Sequence, residues 1–213
     1  MDIFSTMVWF PTLRCSLRCA YCNSRSLPII THGEEKTIEQ WSNIFDTMPY
    51  PINMLTISGG EPGLYKGISE VIDNINVKNL HFNTNLTVHP SKWVSKKMID
   101  LFYSVSASLH FDPDDPAAED FWDGVSWLVK NVQNTRVNVK VVETQHVSPD
   151  MIERITNRCK AVGCRMGIDK YCTFWAYSDT LPIMEGGCSC SAGMDTFILM
   201  PDGEMYRCLG KAY

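Results

Sequence analysis

A chain of 213 residues, 45% hydrophobic and 20% charged, describes an ordinary globular protein of one domain, or one domain with an appendage. No apolar run approaches the roughly twenty residues of a membrane span, and the start Met1-Asp2-Ile3-Phe4 lacks a basic signal region, so no membrane partner and a cytoplasmic location are expected. A net charge of −5 argues against broad affinity for nucleic acid, leaving only a local basic patch open, and nine cysteines suit metal sites better than disulfide pairs.

Along the chain, strand-like and helix-like segments alternate. Ser5–Pro11 is β-rich and leads into a cysteine loop. Thr37–Met48 reads as a helix with Ile38, Trp41, Ile44 and Phe45 on one face. Asn53–Ser58 is a short apolar run that ends in Gly59-Gly60-Glu61-Pro62. Lys66–Ile75 reads as helix, Asn79–Leu86 as strand, Lys92–Leu101 as helix and Tyr103–Phe111 as strand. Ala117–Asn131 is a helix with acids before it, and Arg136–Thr144 alternates as a strand does. Ser148–Val162 opens with Ser-Pro-Asp, a sound cap, and is closed by Gly163. Cys164–Lys170 is the sixth strand, and Thr196–Met200 with Glu204–Cys208 reads as a hairpin around Pro201-Asp202-Gly203.

Six strands alternating with helices imply a parallel sheet with right-handed crossovers. They are too few for a closed eight-stranded barrel. The expected fold class is α/β: an open (β/α)6 partial TIM barrel over residues 1–171, with a small C-terminal β-hairpin extension over 172–213. Ligands in such sheets sit at the C-terminal ends of the strands. The cysteine loop, Gly59–Pro62, Asn83-Thr84-Asn85 and the group Ser106, Ser108 and His110 all fall on that rim.

Cys15, Cys19 and Cys22 form a C-x3-C-x2-C run, three thiolates within eight residues. A 4Fe–4S cluster normally takes four, so one iron would keep an open position. A structural zinc knuckle is the alternative, but zinc prefers four closed ligands.

The run resembles the signature of the radical S-adenosylmethionine (SAM) superfamily, including Tyr21 just before the last cysteine. The resemblance implies that the open iron chelates the amino and carboxylate groups of SAM. It also implies that the reduced cluster cleaves SAM to a 5′-deoxyadenosyl radical, and that an electron donor such as flavodoxin or ferredoxin is a partner. Gly59, Gly60, Glu61 and Pro62 resemble the family's GGEP motif, which contacts the methionine amino group. Two glycines let the backbone approach a ligand closely, and Glu61 brings negative charge near an ammonium. Thr84, Asn85 and Ser108 are candidates for the ribose and carboxylate, with strand-end hydrogen bonding as the equal alternative. Tyr21 touches adenine by resemblance. His110 is given no role.

Cys190, Gly203 and Cys208 follow a C-x12-G-x4-C pattern that resembles the opening half of a SPASM or twitch extension. Such extensions hold an auxiliary 4Fe–4S cluster. Cys172 and Cys188 would complete its shell, or one iron would stay open, since the further cysteine of the family pattern does not follow before Tyr213. Buried free thiols are the alternative, and they suit Cys159 and Cys164.

The implied function is hydrogen abstraction from a small molecule or modified side chain, giving oxidation, epimerisation or isomerisation. Only four residues precede the first strand, so the leader-binding extension of many peptide-modifying relatives is not expected. An activase or maturase acting on a peptide or protein partner is the second reading. A zinc-binding module without catalysis is the third.

Overall fold

Strand β1 (Thr6–Trp9) is the axis on which the architecture is built, since it pairs in parallel with β2 (Ile52–Ile57) on one side and with β7 (Thr196–Leu199) on the other. The computed structural model describes residues 6–19, 22, 35–48, 51–132, 136–143, 147–170 and 196–206. The remaining strands are β3 (Val77–Thr84), β4 (Phe102–Ser108), β5 (Val137–Glu143), β6 (Arg165–Lys170) and β8 (Met205–Tyr206). The sheet order is β6-β5-β4-β3-β2-β1-β7-β8, parallel throughout except for β8 against β7. The sheet does not close. This is the open α/β partial barrel expected, with one addition: the first hairpin strand joins the barrel sheet itself, beyond β1. The expected boundary at residue 171 lies outside the described residues.

Among the described residues, five α-helices lie between the parallel strands: α1 (Ile38–Asp46), α2 (Ile68–Asn74), α3 (Lys96–Leu101), α4 (Ala117–Asn131) and α5 (Pro149–Val162). Their starts follow from local chemistry. Thr37 and Gln40 form a reciprocal capping box on α1, and Ser148 caps α5 ahead of Pro149. Gly163 ends α5 at φ +86, a left-handed conformation that favours glycine.

The expected helix over Lys92–Leu101 is broken. A 3₁₀ turn at Pro90–Lys92 stops at Trp93, whose ring stacks on Phe82 at 4.3 Å, and the helix restarts after Ser95 caps Met98. Strands β3 and β4 also end sooner than the sequence pattern suggests. Leu86 at φ +56 turns the chain out of the sheet after Thr84.

Burial alternates with the pleat. Leu55, Ile57, Leu80, Phe82, Val105, Ala107, Val137 and Val139 pack beneath the helices. On the other face stand Thr56, His81, Asn83, Ser104, Asn138 and Lys140, half-buried and mostly polar. Parallel sheets are usually apolar on both faces, so a polar face marks the inner wall of an open barrel. Trp9 anchors the helix side. It is fully buried, with Trp41 and Phe45 edge-to-face at ring distances of 5.3 Å each. On the opposite face Phe10, Ile198 and Met200 form a small cluster with Val8 and Leu13, so the hairpin packs against the root of the cysteine loop.

Removing the Trp9 ring leaves a cavity among Trp41, Phe45 and Tyr65 that the rigid sheet cannot collapse. Trp9→Ala is expected to cost about 3–5 kcal/mol of stability in urea titration, whereas Tyr103→Ser, at a side chain that is 61% exposed, is expected to stay within about 0.5 kcal/mol of the parent.

Candidate functional site

The rim at the C-terminal ends of β1 to β4 brings three sequence motifs together. The first contact is backbone on backbone. The Gly60 amide donates to the Thr12 carbonyl at 3.0 Å, and the Glu61 amide donates to the Arg14 carbonyl at 2.7 Å. The chain segment that delivers the cysteines thus rests directly on Gly59-Gly60-Glu61. A Cβ at Gly60 would lie 2.2 Å from the Arg14 oxygen, and one at Gly59 would lie 2.5 Å from the Thr12 oxygen. Gly59 also has φ +116. The close approach expected toward a ligand is therefore made first toward the protein's own backbone.

The Glu61 carboxylate points inward and is fully buried. Oε1 accepts from the Thr84 hydroxyl at 2.8 Å and from the Gly63 amide at 3.0 Å, and Oε2 accepts from the Asn85 amide at 2.6 Å. Burial pushes its pKa above the usual carboxylate range, and the three donors oppose that shift. Pro62 is buried at the first position of the 3₁₀ turn that follows. Thr84 also accepts from the Leu86 amide at 3.0 Å, so its hydroxyl is committed to the strand end.

Asn85 is buried and faces the cysteine loop. Its Oδ1 accepts from the Thr87 amide at 2.9 Å and the Thr87 hydroxyl at 2.7 Å, while Nδ2 donates to Cys15 Sγ at 3.3 Å. Ser16 reaches the same Thr87 hydroxyl at 2.7 Å. Cys19 Sγ lies 3.4 Å from His110 Nδ1, just beyond β4, and burial lowers the His110 pKa. The Cys22 amide donates to the Cys19 carbonyl at 3.2 Å. All three thiols are half-buried and free of disulfides. Three thiols on one rim loop, with nitrogen groups at two of the sulfurs, are a donor set that fits an iron–sulfur cluster. Among the described residues, no group of three His, Cys, Asp or Glu side chains is placed to hold a metal ion.

One part of the site carries no local sequence signal. Arg14 meets Glu35 in a two-pronged pair, Nε to Oε1 at 2.6 Å and Nη2 to Oε2 at 2.7 Å, and the Thr12 hydroxyl also donates to Glu35 Oε1. Arg14 Nη2 reaches the Leu64 carbonyl as well, at 2.9 Å. Glu35 raises the Arg14 pKa, mainly through that side-chain hydrogen bond. The pair clamps the two ends of the cysteine loop to each other.

Below the rim the inner wall is polar. His81 bridges Ser104 and Asn83, the latter at 3.0 Å, and burial lowers its pKa, with Lys140 adding to the effect. Lys140 pairs with Asp169 at 2.7 Å. Ser108 ends β4 beside Lys140 in register. Cys159 is buried in the core and Cys164 packs against it. Tyr21, Cys172, Cys188, Cys190 and Cys208 lie outside the described residues. No described helix is long and apolar enough to cross a membrane.

The Radical SAM superfamily profile matches residues 9–168. SuiB of Streptococcus suis, bound to precursor peptide SuiA, superposes with a TM-score of 0.68 at 14% identity, over 98% of this chain and 60% of that one. Native anSMEcpe with bound AdoMet and Cp18Cys peptide gives 0.57 at 12% identity, over 98% of this chain and 74% of that one. BtrN in complex with AdoMet and 2-DOIA gives 0.53 at 13% identity, over 100% and 76%. The chain therefore spans about 60% of the length of SuiB. At such identities the likeness is one of fold.

Two substitutions separate the roles within this rim. Gly60→Ala forces the Leu13–Arg14 backbone away, so anaerobic reconstitution is expected to load markedly less iron on the cysteine loop. Undiminished iron would mean that this contact does not hold the loop. Glu61→Gln keeps the shape but sets an NH2 group against a backbone amide. It is expected to lower stability by about 1–3 kcal/mol in urea titration.

Proposed function

This chain belongs to the radical SAM superfamily, and we propose that it is an enzyme that uses Cys15, Cys19 and Cys22 to hold a 4Fe–4S cluster and abstracts a hydrogen atom from a small molecule or modified side chain. The observation that carries this reading is the seating of the cysteine loop on Gly59-Gly60-Glu61 at the C-terminal rim of an open barrel. When bound, the cluster supplies the electron that cleaves SAM to a 5′-deoxyadenosyl radical. The residues of the chain position and enclose. The backbone around Gly59–Pro62 lies beside the loop, where the methionine end of SAM would meet it, and Glu61 fixes the end of β3 from behind. Ser108 and Asn85 stand on the same rim, and Tyr21 is assigned to adenine on the family pattern. The His81, Asn83, Ser104 and Ser106 wall offers hydrogen bonds to a polar substrate, and Lys140 offers a charge. Oxidation, epimerisation and isomerisation are all compatible with this wall.

Cys172, Cys188, Cys190 and Cys208 are proposed to hold an auxiliary 4Fe–4S cluster. Cys190 precedes β7 and Cys208 follows β8 in sequence, and the hairpin between them lies against β1, the strand that leads to the first cysteine loop. Such a cluster would take up an electron in an oxidation. A flavodoxin or ferredoxin is the proposed donor. A second reading, modification of a peptide or protein partner, is favoured by the peptides bound to SuiB and anSMEcpe.

The test compares wild type with a Cys15→Ala, Cys19→Ala, Cys22→Ala triple variant, purified without oxygen and reduced with SAM. Wild type is expected to form 5′-deoxyadenosine, and the triple variant none. The variant is expected to keep about four irons per chain on the tail. 5′-Deoxyadenosine from the triple variant would overturn the reading of the loop. One zinc in place of iron would make the tail a structural staple.

A further inference from the structure

Asn85 and His110 both face the cysteine loop. The orientation of the Asn85 amide is not arbitrary. The Thr87 backbone N–H can only donate, so the atom facing it at 2.9 Å must be Oδ1, and the NH2 group must face Cys15 Sγ at 3.3 Å. The Asn85 backbone is held in turn by Glu61 Oε2 at 2.6 Å, and Ser16 of the cysteine loop reaches Thr87 at 2.7 Å. From the other side, His110 Nδ1 lies 3.4 Å from Cys19 Sγ. A ligating cysteine is a thiolate and can only accept, so toward it Nδ1 carries the proton.

We propose that Asn85 and His110 are positioning residues that donate hydrogen bonds to the Cys15 and Cys19 thiolates and thereby raise the reduction potential of the cluster they hold. This rests on the reading of Cys15, Cys19 and Cys22 as cluster ligands. Reduction adds one electron to the cluster and makes the ligand sulfurs more negative. An N–H dipole aimed at a sulfur therefore stabilises the reduced state more than the oxidised one, and hydrogen bonds to the sulfurs are among the groups that set such potentials. Two donors on two different thiolates act on one cluster. The Asn85 donor is tied to the Glu61 carboxylate through a single residue, so the same motif that seats the loop also aims the donor.

The experiment is a reductive titration of the reconstituted protein without SAM, followed by the electron paramagnetic resonance signal of the cluster whose spectrum added SAM perturbs, which sets the loop cluster apart from one on the tail. Wild type is compared with Asn85→Ala, His110→Phe and His110→Asn. Loss of either donor is expected to weaken the reduction equilibrium about tenfold, a negative shift of about 59 mV for one electron. His110→Asn, which keeps an N–H near the Nδ1 position, is expected to return toward wild type. Unshifted potentials in both Asn85→Ala and His110→Phe, with iron content equal to wild type, would overturn the proposal. Should a truncated variant lose its iron, the comparison moves to His110→Asn and Asn85→Gln. Retained iron at a near-native potential supports the donor role, and loss in these too overturns it. If wild type itself shows no 4Fe–4S signal, the reading of the cysteine loop fails, which is a separate outcome.

Discussion

The structure depends on one backbone contact: the chain at Leu13 and Arg14 lying against Gly60, at a distance only a residue without a side chain permits. Two hydrogen bonds fix it, Gly60 to Thr12 and Glu61 to Arg14. Everything that gives the cysteine loop a place follows from that seat. Strand β1 supplies the direction and Trp9 locks the strand to α1. Arg14 and Glu35 draw the two ends of the loop together. Residues 12–14 enter the loop through these contacts, so the direction in which the chain carries Cys15 is set by backbone hydrogen bonds.

Glu61 works on the opposite side of the same motif. A fully buried carboxylate is costly unless its oxygens are satisfied. Here Thr84, Gly63 and Asn85 satisfy them, and in doing so fix where β3 ends. The acidic residue of the Gly-Gly-Glu-Pro turn is thus an internal strut between two strand ends. Its backbone faces the cysteine loop while its side chain organises the strand that aims Asn85 at Cys15. The motif therefore couples the geometry of the rim to the environment of Cys15.

The C-terminal hairpin bears on the same rim. Because β7 continues the parallel sheet beyond β1, the β7–β8 hairpin is part of the barrel sheet. Phe10, Ile198, Met200 and Leu13 share one small core, which ties the hairpin to the root of the cysteine loop. Residues 196–206 and the strand that leads to Cys15 thereby share one sheet.

The sequence by itself determined the alternation of strands and helices, the open α/β architecture, the cysteine loop after β1 and the turn at Gly59–Pro62. These are local: a period of two or 3.6 residues, a capping Ser148, a Pro-Asp-Gly turn and a three-cysteine spacing each act within a few neighbours. It did not carry the break at Trp93, where stacking on Phe82 outweighs helix propensity, nor the pairing of β7 with β1. It also gave no sign that Gly60 is required by the Arg14 carbonyl, that Glu35 closes the loop on Arg14, or that His110 reaches Cys19. Those contacts join residues far apart in the chain. Only the folding of separate strands onto one rim brings them within hydrogen-bonding distance, and only there do burial and unmet donors decide which side chains serve the loop and which serve the strand ends.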